Sequence, residues 1–155
     1  MDASRFVGTE PLAADSKIDV ARLHAYLKAN IDGCEGELTV ERFRGGQSNP
    51  TMLLSFDGKR KLVLRKKPDG KLLPSAHAVD REFRVISALR DSDVPVAGAR
   101  LLCDDESIVG AMFYVMDFVE GRSFWAPALP EQSPVERKAI SVSYTHLTLP
   151  TTERV

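Results

Sequence analysis

The chain has 155 residues, 43% of them hydrophobic and 28% charged, which fits one compact unit, or one domain with a tail, and excludes wholesale disorder and a long multidomain machine. Its 21 basic and 22 acidic residues leave a net charge of −1, so no global field draws it to nucleic acid or to an anionic membrane, and any electrostatic function has to be local. No apolar stretch approaches the roughly 18 residues of a membrane span, and the first residues lack the basic start and apolar core of an export leader, so the cytoplasm is the expected compartment.

Residues 1–18 are polar and aperiodic and read as an N-terminal arm. From Asp19 the apolar residues Val20, Leu23, Leu27 and Ile31 recur at helical intervals, with Asp19 as cap and Gly33 as stop. The period then shortens toward two: Leu38 and Val40, then Met52, Leu54 and Phe56, then Leu62 to Leu64 predict three strands. Asp57-Gly58 predicts a tight hairpin between the second and third, which makes the meander antiparallel. A second helix is expected over residues 76–90, capped by Ser75, with Val79, Phe83, Ile86 and Leu89 as its stripe. Leu101 and Leu102 begin a fourth strand, Asp104 to Ser107 a turn, and the apolar run from Ala111 to Val119 a fifth strand. Ser133, Pro134 and Glu136 then spell the start of a further helix with a capping box. After Ile140 the text changes: six of the last 15 residues are Ser or Thr, and Val142, Tyr144, Leu147 and Leu149 do not extend a helical stripe. The helix is expected to stop there, and residues 141–155 read as a divergent or non-native tail behind a truncated reading frame.

Cys34 and Cys103 lie far apart, in no CxxC arrangement, and His24, His77 and His146 are equally scattered, so neither a metal site nor a disulfide framework is expected. Three other features read together. The turn Gly45, Gly46, Gln47, Ser48, Asn49 joins two strands, and paired glycines let backbone N–H groups approach an anion, although such turns also arise for conformational reasons alone. Arg65 ends the third strand inside a basic stretch, seven Lys or Arg between Lys59 and Lys71 against the single acid Asp69. For Lys59, Lys61 and Lys67 a solvated hairpin face accounts for the charge. Glu82 falls inside the apolar stripe of the second helix, where an unpaired carboxylate is costly, and Arg65 is its natural partner; pairing with Arg81 or Arg84 on the helix surface is the alternative.

These blocks, FRGGQSNPTMLLSF, LVLRKKPDGKLLPSAHAVDREFRVISAL and FYVMDFVEGRSFW, resemble the aminoglycoside-phosphotransferase and choline-kinase-like family, in the branch found beside or fused to acyl-CoA dehydrogenases. The resemblance covers about Leu38 to Ile140. It implies an α+β fold, the protein-kinase-like N-lobe: a five-stranded antiparallel sheet, a packed αC-type helix, and here an extra N-terminal helix, with residues 19–122 as the lobe and 123–140 as the start of a linker and of the second lobe's first helix. It further implies ATP held under the sheet. Gly45 to Asn49 would cover the phosphates, Arg65 would take the place of the phosphate-holding strand lysine, and Glu82 would be its helix partner. Met116 would gate the adenine pocket and Asp117 to Val119 would form the hinge. Arginine at the lysine position is a departure, since its planar fork holds phosphate in a different geometry.

The family's catalytic loop, of the H-x-D-x-x-x-x-N type, and its later metal-binding Asp motif have no counterpart in this text, so no catalytic or metal-binding residue is assigned to the chain, and Mg2+ belongs to a longer parent enzyme. The expected partners are a nucleotide and, for the parent, a small molecule bearing a hydroxyl, with neither nucleic acid nor membrane involved. Two rival readings remain open: an anion-gripping module built on residues 59–71, opposed by the lack of aromatic residues among the basic ones, and a pseudokinase-like interaction domain.

Overall fold

The computed structural model describes residues 7–13, 16, 18–45, 49–70, 78–122, 124, 126 and 128–148, the last five by backbone alone. The chain divides into two compact units, one formed by Ser4–Glu120 and the other mainly by Gly121–Val155.

The first unit is a six-stranded sheet with its helices on both faces. In chain order its elements are β1 (Thr9–Pro11), α1 (Val20–Asn30), β2 (Leu38–Phe43), β3 (Thr51–Phe56), β4 (Arg60–Lys66), α2 (Val79–Ala88), β5 (Ala99–Cys103), α3 (Glu106–Val109) and β6 (Phe113–Asp117). The strand order is β1-β2-β3-β4-β6-β5, and every neighbouring pair is antiparallel. The β3–β4 hairpin closes as Asp57-Gly58 predicts, with φ of 49° and 67°, the left-handed pair that matches strand twist. Asp57 tolerates that conformation because its carboxylate accepts the Glu37 N–H at 2.8 Å.

Alternation along the strands sorts side chains between two faces. Met52, Leu54 and Phe56 of β3, Leu62 and Leu64 of β4, and Phe113 and Val115 of β6 join Leu23 and Leu27 of α1 and Val109 of α3 in one core. This outer face is where α1 sits. Asp19 caps it as expected, its Oδ1 accepting the Arg22 N–H at 3.0 Å. Lys66 also turns to this face and is only 4% exposed, so its ammonium needs partners: it donates to Asp69 Oδ1 at 2.9 Å and to the Val109 carbonyl at 3.2 Å, tying β4 to the end of α3. The basic stretch is therefore not uniformly a solvated face.

The inner face carries α2, packed on β5 and β6. Its stripe is the expected one, with Val79 fully buried and Phe83, Ile86 and Leu89 half-buried. Four expectations are corrected. The sheet has six strands rather than five, because part of the N-terminal arm pairs with β2 as β1. A short helix, α3, replaces the turn at Asp104–Ser107, with Asp105 as its cap. The N-cap of α2 is Ala78, without a side-chain hydrogen bond, and not Ser75, which lies outside the described residues.

The fourth correction concerns the second unit, whose helix α4 (Pro134–Thr148) continues well past Ile140. Its capping box forms as predicted: Ser133 N and Oγ donate to Glu136 Oε2 at 3.0 and 2.8 Å, and the Glu136 N–H donates back to Ser133 Oγ at 3.3 Å. Those bonds hold the Glu136 carboxyl below its usual pKa. The extension runs through residues 141–148, mostly of low helix propensity and without an apolar stripe, so the helix there continues from a turn already capped and nucleated rather than from local preference. No described helix is long and apolar enough to cross a membrane.

Candidate functional site

The strand register lays two rows of residues across the inner face. In one, Thr51, Arg65, Tyr114 and Leu102 are consecutive cross-strand neighbours; in the next, Leu53, Val63, Met116 and Ala99 are. The second row is apolar, with Leu53, Val63 and Ala99 all buried. The first carries the charge. Glu82 reaches it from α2.

Arg65 Nε lies 2.8 Å from Glu82 Oε2 as an ion pair, and Nη2 donates to Oε1 at 3.5 Å. The surface alternative goes to other residues: Arg84 pairs with Asp80, one turn back on α2, at 3.4 Å. Two further donors converge on the same carboxylate. Asn49 Nδ2, from the end of the glycine-rich turn, donates to Oε1 at 2.9 Å, and the Tyr114 hydroxyl donates to Oε2 at 3.1 Å. The Arg65 and Glu82 side chains are about one-third exposed, at 30% and 35%, whereas Asn49 and Tyr114 are 3% and 4% exposed. The ion pair is thus open to solvent and flanked by buried neutral donors.

Of the residues singled out in the sequence, the structure brings together Asn49, Arg65 and Glu82. Gly45 is half-buried just beyond β2, while Gly46, Gln47 and Ser48 lie outside the described residues. Met116 stands in the apolar row, two residues along β6 from Tyr114. Asp117 is engaged within the sheet edge. Arg100 Nε and Nη2 each donate to its carboxylate at 2.7 Å, its N–H donates to the Gly98 carbonyl at 2.9 Å, and a Cβ on Gly98 would strike its Oδ2. Arg100 occupies the irregularity in the β5–β6 register between Ala99 and Leu101. Val119 follows and is 66% exposed. The bonds to Glu82 come from Asn49, Arg65 and Tyr114, and not from Asp117 or Val119.

In the sequence the run from Ala111 to Val119 reads as an apolar strand, which hides the part Tyr114 plays at Glu82. The available signal was alternation: with Phe113 and Val115 facing one way, Tyr114 and Met116 must face the other. Burial, reinforced by the Glu82 charge, pushes the Tyr114 phenol up to about 12. Tyr26 reaches about 12 as well, chiefly through its hydrogen bond with Cys103 and then through burial.

Both phenols ionise near 10 in an unfolded chain, so the folded state holds these protons more tightly. Their contribution to stability is complete below pH 10 and is lost as the pH rises from 10 to 12. Urea midpoints measured between pH 9 and 12 are expected to fall across that window, and less steeply in Tyr26→Phe and Tyr114→Phe.

A profile of the phosphotransferase enzyme family matches residues 39–144. Acyl-CoA dehydrogenase family member 11 of Rattus norvegicus is 45% identical over 147 residues, spanning 92% of this chain and 18% of that protein. The Homo sapiens counterpart is 46% identical over 131 residues, spanning 82% and 17%. This chain thus covers less than a fifth of the curated relatives it matches. Among solved structures, a Ralstonia eutropha protein described as an aminoglycoside phosphotransferase superposes with a TM-score of 0.68 at 43% identity, over 83% of this chain and 36% of that one. The antiparallel sheet with α2 on its inner face is the kinase-like N-lobe, and the chain belongs to the phosphotransferase enzyme family.

Proposed function

We propose that this chain is the ATP-binding lobe of a small-molecule kinase whose parent enzyme passes a phosphoryl group to a hydroxyl of a metabolite. The observation that carries the proposal is the Arg65–Glu82 pair, a strand cation held by a helix carboxylate at the end of a glycine-rich turn. A guanidinium has five N–H donors, more than one carboxylate takes up, so Arg65 can hold phosphate oxygens while Glu82 fixes it. The buried apolar row of Leu53, Val63 and Ala99, with Met116, offers a surface for a planar base, and Asp117 to Val119 supply the backbone edge beside it. Gly45 to Asn49 would cover the phosphates.

The magnesium that accompanies ATP neutralises charge on the transferring group. Among the described residues no three carboxylate, histidine or cysteine side chains converge, so the proposal assigns its ligands, and the acceptor site, to parts of the parent protein that this chain does not match. The name shared by the curated relatives, acyl-CoA dehydrogenase family member, favours a hydroxyacyl compound as the acceptor.

Titration calorimetry of the chain with ATP and with adenosine tests the reading. A phosphate anchor worth one charge-assisted hydrogen bond corresponds to roughly a tenfold or greater preference for ATP, and Arg65→Ala is expected to erase it. Equal affinity for the two ligands would overturn nucleotide binding through this site and favour an interaction module. Phosphoryl transfer by the chain alone would overturn the assignment of the chemistry to other parts of the parent.

A further inference from the structure

We propose that Tyr114 is a positioning residue for the phosphate anchor, acting through Glu82 rather than on the nucleotide; the inference rests on the nucleotide-binding reading above. Tyr114 is the direct cross-strand neighbour of Arg65, and its hydroxyl donates at 3.1 Å to Glu82 Oε2, the same oxygen that Arg65 Nε approaches at 2.8 Å. Its ring lies 6.1 Å from that of Phe83, the residue after Glu82 on α2. One residue of β6 thus touches both the carboxylate and the helix turn that presents it.

Exposure separates the ion pair from the groups that hold it. An arginine–glutamate pair with about a third of each side chain in solvent is screened, and two long side chains lose rotamer freedom in forming it, so the pair alone holds neither partner in one place. Tyr114 is different: it is 4% exposed, its phenol has two torsions, and it is protonated at neutral pH, with burial pushing its pKa to about 12. A rigid buried donor on Oε2, matched by Asn49 on Oε1, fixes the carboxylate plane and through it the direction of the guanidinium. Pre-set direction matters because it removes an ordering cost from phosphate binding.

The test is calorimetry of the full chain with ATP and with adenosine, comparing the unmodified protein with Tyr114→Phe, which keeps the ring and removes the hydroxyl. The expected result is a five- to tenfold loss of the preference for ATP over adenosine, with adenosine affinity unchanged. An unaltered preference would mean that the ring only packs, and would overturn the proposal while leaving the nucleotide reading intact. No preference in the unmodified chain would instead remove the nucleotide reading. A second measurement needs no nucleotide: the Tyr114 ring-carbon resonance, followed through a pH titration, is expected to report a lower pKa in Glu82→Gln than in the unmodified chain. An unmoved value would show that the phenol is not coupled to this carboxylate, and would also overturn the proposal.

Discussion

Glu82→Ala is expected to abolish the preference for ATP over adenosine and to lower the stability of the chain by about 1–3 kcal/mol. The two effects have different origins. The ion pair with Arg65 contributes little to stability, because about a third of each side chain is in solvent and exposed pairs are worth on the order of 0.2–1 kcal/mol. The larger cost is local to Tyr114, 4% exposed, whose hydroxyl would lose the acceptor it now has at 3.1 Å; a buried donor without its bond costs about 1–3 kcal/mol. The loss of ligand preference comes from Arg65, whose guanidinium would no longer be directed. Glu82→Gln separates these terms. It keeps an oxygen for one of the donors, so stability should fall less, but without the negative charge Arg65 is held weakly and most of the preference should still be lost. Urea midpoints and calorimetry on the same samples give both numbers. A Glu82→Ala variant that kept the unmodified preference would show that Arg65 is directed by something other than this carboxylate.

The parts of this site that were legible in the sequence are those set by period and by charge. The strand alternation of Met52, Leu54 and Phe56, the Asp57-Gly58 hairpin and the stripe of α2 follow from local pattern, and the charged residue inside that stripe points to Arg65 from sequence alone. What was not legible depends on registers between distant strands. That Tyr114 stands beside Arg65 follows from the β4–β6 pairing, across 48 intervening positions of sequence, and nothing in the run around it marks a polar task. The same holds for Lys66, whose neighbours suggested a solvated face, whereas its position one residue after Arg65 turns it toward α3. The extra strand β1 and the extension of α4 were missed for a different reason: three residues are too short to show a period, and a helix already capped can continue through a sequence lacking an apolar stripe.

Phe113→Ala is expected to cost about 3–5 kcal/mol, the largest stability loss of any single change argued for this chain, and to leave the preference for ATP unchanged in the molecules that remain folded. Phe113 has no solvent exposure and meets the edge of the Tyr26 ring at 6.1 Å between centroids and 70° between planes. The space left by its ring cannot easily collapse, because β6 is hydrogen-bonded on both sides: Phe113 pairs with Lys66 of β4 and with Cys103 of β5. The cavity would therefore persist and its cost would stay near the top of the range. Domains of this size have in total about 5–15 kcal/mol, so the variant is expected to sit close to unfolding at room temperature, with a urea midpoint shifted accordingly. Tyr114 is the next residue, yet its side chain leaves the opposite face of the sheet, so losing Phe113 removes packing beneath the strand without removing a bond from Glu82. A loss of under about 1 kcal/mol would mean that α1 is not seated on the outer face as described. A large loss accompanied by a changed ligand preference would mean that the two faces of β6 are mechanically coupled and that the outer core also sets the position of the anchor.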